Sequence, residues 1–138
     1  MDVDHAAWNR FVQSEPDDYA PGDIRRDAAI AGYFSGVNGN GGPVHSLDVM
    51  SEFSGDEIVA SLRAVGAVRA ASEMDALLGA LGEPLPKADN CERKQAVARL
   101  VTEEIELEFP FSEEAEQELD LALEAHVRAH SDHYRSKP

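Results

Sequence analysis

Between Arg99 and Arg128 the chain carries ten carboxylates and not one lysine or arginine. Glu103, Glu104, Glu106 and Glu108 come first, and Glu113, Glu116, Asp120 and Glu124 follow at spacings of three and four. On a helix those spacings place the last four in one row, about 5 to 6 Å apart along the axis. DNA carries a phosphate about every 3.4 Å of axis on each strand, so two such rows approach its charge density. The chemistry such a row can do is electrostatic capture of a cationic surface. Like charges at i, i+4 repel by a few tenths of a kcal/mol per pair, so the unbroken row asks for a reason. The plainer reason is the solvated face of an amphipathic helix, or acidity kept for solubility.

Three further constellations could carry chemistry. His126, His130 and His133 follow one another at spacings of four and three, which could turn three imidazoles towards one metal ion. No glutamate sits at a zincin-type spacing, and His126 falls on an apolar stripe where a packed histidine is commoner. No metal and no cofactor is therefore expected, and these three residues are the candidates should one bind. Cys91 lies in the first turn of a predicted helix, where the N-terminal dipole lowers a thiol pKa, but nothing brings it to His45. No catalytic residue is assigned, and the chain reads as a non-enzyme. The segment "GVNGNGGPVH", residues 36–45, has neither the Lys with Ser or Thr of a P-loop nor a G-x-G-x-x-G between strand and helix. Asn40, Gly41 and Gly42 are read as a structural loop. In it Gly39, Gly41 and Gly42 supply positive φ, Asn38 and Asn40 cap, and Pro43 starts the next helix.

The elements that must position these residues read as helices throughout. Apolar positions recur at helical spacing in about six segments, and the spacing predicts a helix at 4–13 and another at 23–33, followed by the Gly-rich loop. Ser54 and Asp89 each precede a glutamate by three residues, the pattern of a capping box, while Gly66 and Gly82 are placed to end helices. The alternation in "EIELEFPF", 104–111, has no partner strand and reads as a fraying helix end before Pro110. Ser112 caps a last helix with Leu119, Ala122, Leu123, His126 and Val127 facing inward, and the residues after it form a fraying tail. The fold class is all-α, a single compact domain over 1–138. Its N-terminal helix and linker occupy 1–22 and its core helical part 23–134.

Composition bounds the function. The chain has 138 residues, a net charge of -15, a pI near 4.5 and 43% hydrophobic residues, enough for one packed core. So acidic a surface repels nucleic acid and anionic membranes, which leaves basic proteins or cations as partners. One cysteine excludes an intrachain disulfide, and no stretch reaches the roughly 20 apolar residues of a membrane span, so the expected location is the cytoplasm.

"VNGNGGPVHSL", "SGDEIVASLRAVGAVRAAS" and the acidic segment ending "LEAHVRAHSDHY" together resemble the bacterial DNA mimic protein 19 family over about residues 28–134. Asn40, Gly41 and Gly42 match its Asn-Gly-Gly motif, and Gly66 with Ala67 its Gly-Ala step. Pro43 replaces an aromatic and His45 a glutamine. The resemblance implies an all-helical fold and a surface whose carboxylates imitate DNA phosphates. The expectation is an acidic interaction protein binding a basic, DNA-binding protein through Glu103, Glu104, Glu106, Glu108, Glu113, Glu116, Asp120 and Glu124. An immunity or antitoxin-like protein that neutralises a basic nuclease is the alternative of the same class. A metal-dependent enzyme using the C-terminal histidines is the alternative from another, and a homodimer is left open.

Overall fold

The structure is a computed structural model and describes residues 4–136. Among them there are eight α-helices, six of seven residues or more, and no strand. α1, His5–Gln13, starts where the Asp4 carboxylate accepts from the amides of Ala6 and Ala7 at 2.9 and 3.2 Å. That carboxylate also pairs with Arg135 at 2.5 Å, so it ties the two ends of the described chain together. Ala7 and Phe11 turn inward, whereas Val12 faces out. A 3₁₀ turn, Pro16–Asp18, then leads to the Asp23 cap of α2.

α2, Ile24–Val49, departs most from expectation. It runs on past Tyr33 through the Gly-rich segment, and the predicted break is compressed to one residue, Gly42, with φ +88° and ψ 180°. Gly39 and Gly41 are helical and supply no positive φ, and Asn40 stands exposed within the helix. Asn38 is no cap either. It is buried and donates to Glu116 Oε1 at 3.4 Å. Pro43 does restart the helix, its carbonyl accepting from the Ser46 hydroxyl at 2.5 Å. Close approach accounts for two of the helical glycines, whereas a Cβ on Gly36 or Gly39 would meet nothing within 4 Å. A Cβ on Gly41 would lie 2.6 Å from the His45 ring, and one on Gly32 would lie 3.2 Å from the Phe11 ring.

The local start and stop signals act as their side chains dictate. Ser54 accepts from the Glu57 amide at 3.0 Å to open α3, Gly55–Ala64, but Glu57 turns its carboxylate to Arg26 at 3.1 Å and completes no capping box. Gly66, at φ +93°, reverses the chain into α4, Val68–Leu81, which Gly82 ends at φ +77°. Asp89 opens α5, Asn90–Leu100. Thr102 then caps a separate short helix, α6, Glu103–Glu108, where a fraying end of α5 was expected. Ser112 opens α7, Glu113–Ala129, and is itself held by Glu73 of α4 at 2.5 and 2.8 Å. The tail beyond is α8, Ser131–Ser136, because Tyr134 is fully buried against Phe11, with their rings 5.5 Å apart.

α2 is the spine. α3, α5 and α7 pack on it, α4 folds back on α3 and touches α7, and α1 lies against α7 and α8. Ile30, Phe34, Leu47, Leu62, Met74 and Leu119, all at 2% exposure or less, mark the shared core. One cation is buried among them. Arg93 of α5 is 1% exposed and donates to the carbonyls of Leu47, Met50, Ser51, Phe53 and Pro86, with Leu47 and Pro86 each at 2.9 Å.

Two predictions follow from this geometry, both read as changes in urea unfolding. Gly42→Ala should cost about 1–3 kcal/mol, because that backbone region is nearly closed to a Cβ, whereas Gly36→Ala, helical and unobstructed, should be neutral or gain up to about 1 kcal/mol. Arg93→Leu should cost at least about 3 kcal/mol, because several buried carbonyls lose their donor together. An Arg93→Lys protein should recover only part, its ammonium lacking the planar fork.

Candidate functional site

The eight predicted carboxylates fall on two helices. Glu103, Glu104, Glu106 and Glu108 are exposed on α6, and Glu113, Glu116 and Asp120 are exposed on α7, with Glu124 half-buried. Among the described residues none of the eight forms an ion pair with a lysine, arginine or histidine. Their helical positions account for some of them. Glu103, Glu104 and Glu106 occupy the first turn of α6, and Glu113 and Glu116 that of α7, where the helix dipole stabilises negative charge. Asp120 and Glu124 sit further along α7 and have no such support. Burial, reinforced by Glu124, pushes the Asp120 carboxyl above its ordinary range.

Asp120 also stands at the edge of a cavity of about 600 Å³ between α1, the 3₁₀ turn, α2 and α7. Its floor is apolar, formed by Phe11, Ala29, Gly32, Phe53 and Leu123. Trp8 and Tyr33 are half-buried along it, and Trp8 leans on Phe11 with ring centroids 5.4 Å apart. Glu15, Asp17 and Glu52 line it together with Asp120, so four carboxylates from three segments surround an aromatic interior. Burial, with Glu52 beside it, raises the Tyr33 hydroxyl pKa and keeps the phenol protonated. Sequence spacing could not reveal this cavity, since its lining comes from four stretches between Trp8 and Leu123. The one local signal was the pair Gly32 and Gly36, one helical turn apart on the face that lines it.

The histidines are engaged within the fold. His126 is buried on the inward stripe, its Nε2 2.8 Å from the Tyr134 hydroxyl and its ring stacked on His130 at 4.4 Å. His130 Nδ1 donates to the His126 carbonyl at 3.0 Å. His133 Nδ1 lies 2.8 Å from Arg25 Nη1; since a guanidinium only donates, that nitrogen is the acceptor and Nε2 carries the proton towards the Tyr19 hydroxyl at 3.2 Å. The lone pair of His133 that a metal would need is thus directed at a cation. Among the described residues no three of His, Cys, Asp or Glu are grouped as metal ligands would be. Cys91 is a free, exposed thiol on α5.

No family model, no curated protein and no solved structure matches the chain. The structure gives the residues of the quoted motifs separate roles. Asn40, Gly41 and Gly42 surround the α2 kink, and Gly66 and Ala67 form the α3–α4 reversal, with Ala67 fully buried. Among the described residues no helix is long and apolar enough to cross a membrane.

Burial, with His130 and the Arg25 guanidinium nearby, pulls His126 down to about pKa 4, with Asp23 opposing. Between 4 and the ordinary value of 6.5 the unfolded chain binds the extra proton, so stability is complete above 6.5 and falls as pH drops towards 4, by up to roughly 3 kcal/mol. Asp23, held near pKa 2 by its bonds to Arg25, adds acid sensitivity only below that window. Urea unfolding at several pH values should show the decline, and His126→Gln should remove the slope between 6.5 and 4 while leaving the steeper loss below it.

Proposed function

We propose that this protein is an acidic interaction protein that captures a basic, DNA-binding protein by presenting the α6–α7 carboxylates where that partner receives DNA phosphates. The observation that carries the reading is the absence, among the described residues, of any ion pair to Glu103, Glu104, Glu106, Glu108, Glu113, Glu116, Asp120 and Glu124. A solvated surface ordinarily intersperses both signs, because unscreened like charge destabilises the fold. Here the charge is left whole on two consecutive helices, and in Asp120 and Glu124 it persists where neither the helix dipole nor a counter-charge supports it. A basic groove would supply the missing cations on binding. Attraction of this kind speeds association and weakens with salt over a Debye length of about 8 Å at physiological ionic strength. The motif likeness to the DNA mimic family supports the same partner class, and the expected location is the cytoplasm, where such partners work.

Position should matter beyond net charge. A variant with Glu113, Glu116 and Glu124 changed to Gln and Asp120 to Asn should lose at least about tenfold in affinity for a basic partner and show a flatter salt dependence. Neutralising Asp56, Asp75, Glu83 and Glu92, exposed acids on or beside α3, α4 and α5, removes equal charge and should matter much less. Pulldown at low salt, followed by titration against the recovered protein, makes the comparison. DNA should compete with this protein for that partner. Equal losses from the two sets, or a ternary complex with DNA, would leave acidity without mimicry.

A further inference from the structure

The cavity described above shares only Asp120 with the acidic face of α6 and α7, and its lining is chemically specific. We propose that it is a binding site for a small organic cation with an apolar body, of the size and type of an arylalkyl ammonium. Three observations carry this. A space of about 600 Å³ falls within the range that holds a whole small molecule, and its floor of Phe11, Phe53, Ala29 and Leu123 is apolar, as the body of such a ligand requires. Trp8 and Tyr33 expose ring surface to the space, and aromatic faces attract a cation through their quadrupoles. Finally, Glu52 and Asp120 line it without a hydrogen bond or an ion pair among the described residues, and Glu15 and Asp17 add charge of the same sign. An anion would meet four carboxylates, and a cation would be drawn to them.

Gly36 keeps the space open. It lies on the lining face of α2 in ordinary helical geometry, and a Cβ built there meets nothing within 4 Å. A larger side chain at that position enters the cavity without backbone strain. The glycines of this segment thus divide by role. Gly42 serves the kink, Gly41 the His45 ring, Gly32 the Phe11 ring, and Gly36 the empty space.

The test uses the full chain and phenylethyltrimethylammonium as probe, with 2-phenylethanol as the neutral and 3-phenylpropanoate as the anionic control. Trp8 is the single tryptophan, so its fluorescence reports occupancy while calorimetry reads affinity and stoichiometry. The ammonium should bind once, with a dissociation constant of about 1 mM or tighter, change the Trp8 emission, and exceed both controls by about tenfold or more. Gly36→Leu should abolish the signal. The pair Glu52→Gln and Asp120→Asn, surface changes that leave the apolar floor intact, should weaken the ammonium by about tenfold and leave 2-phenylethanol unchanged. No saturable binding up to about 10 mM overturns the proposal, as does equal binding of the neutral control or an ammonium signal indifferent to both variants. Circular dichroism of each variant separates lost binding from lost fold. None of these outcomes depends on α6 or on a protein partner, so failure here leaves the reading of the acidic face standing, and the reverse also holds.

Discussion

The buried guanidinium of Arg93 is the constraint on which the rest of the arrangement depends. It has no carboxylate in contact. Its charge is met by the carbonyls at the end of α2 and in the turn that follows, where the dipoles of a helix C-terminus converge. Burial pulls its pKa down while Glu52 and Asp48 oppose, and a guanidinium stays protonated through such a shift. Leu47, Met50, Ser51, Phe53 and Pro86 all present their carbonyls to its two terminal nitrogens, while the buried Nε has no partner among the described residues. Three separate stretches of chain are thereby fixed together. The bonds from Gly55 N to Leu85 O and from Ala88 N to Ser51 O close the same junction.

With its C-terminal end held, α2 has one orientation, and the remaining helices take theirs from it. Its small residues decide how near they come. Gly32 admits the Phe11 ring of α1, and Phe11 in turn backs Tyr134 and His126, so the N-terminal helix, α7 and α8 meet around one aromatic cluster. That contact joins residues separated by most of the chain. It explains why a C-terminal tail with no strong helical pattern of its own is ordered, and why the three histidines face the interior or Arg25. Beyond the kink at Gly42, the last turn of α2 presents the Leu47 carbonyl, and its C-cap the Met50 carbonyl, to Arg93.

What could be read in the sequence, and what could not, follows from the range of the forces involved. Ser54, Asp89 and Ser112 were legible because a side-chain oxygen caps an amide three residues on, and Gly66 and Gly82 because a left-handed turn is a property of one residue. The inward stripe of α7 was legible from its spacing, as were the all-α class and the carboxylate row. The length of α2 was not. Its glycines favour a loop when taken alone, and the rings of Phe11 and His45, which need the room, give a reason for Gly32 and Gly41 alone. Arg93 was equally silent, standing in "CERKQ" like any exposed base, since its partners lie 7 to 46 residues away. The burial of Tyr134 and the cavity beside Trp8 are products of the same long-range packing.

The division of the acids into explained and unexplained bears most on function. A carboxylate in a first turn stabilises its own helix by a few tenths of a kcal/mol to about 1 kcal/mol, so selection for folding alone would retain Glu103, Glu104, Glu106 and Glu113. Asp4, Asp23 and Asp89 are retained as caps, and Glu57 and Glu83 as partners of Arg26 and Arg99. Among the acids that remain, Asp120 and Glu124 on α7 and Glu52 after α2 neither cap a helix, nor lie in a first turn, nor form an ion pair among the described residues. Asp120 and Glu52 meet at the cavity, while Asp120 and Glu124 continue the row. Solubility alone would place such acids anywhere on the surface. Asp120 and Glu124 stand four residues apart on α7, and burial with Glu124 beside it raises the Asp120 pKa, a cost to the isolated fold that a cation on that face would offset.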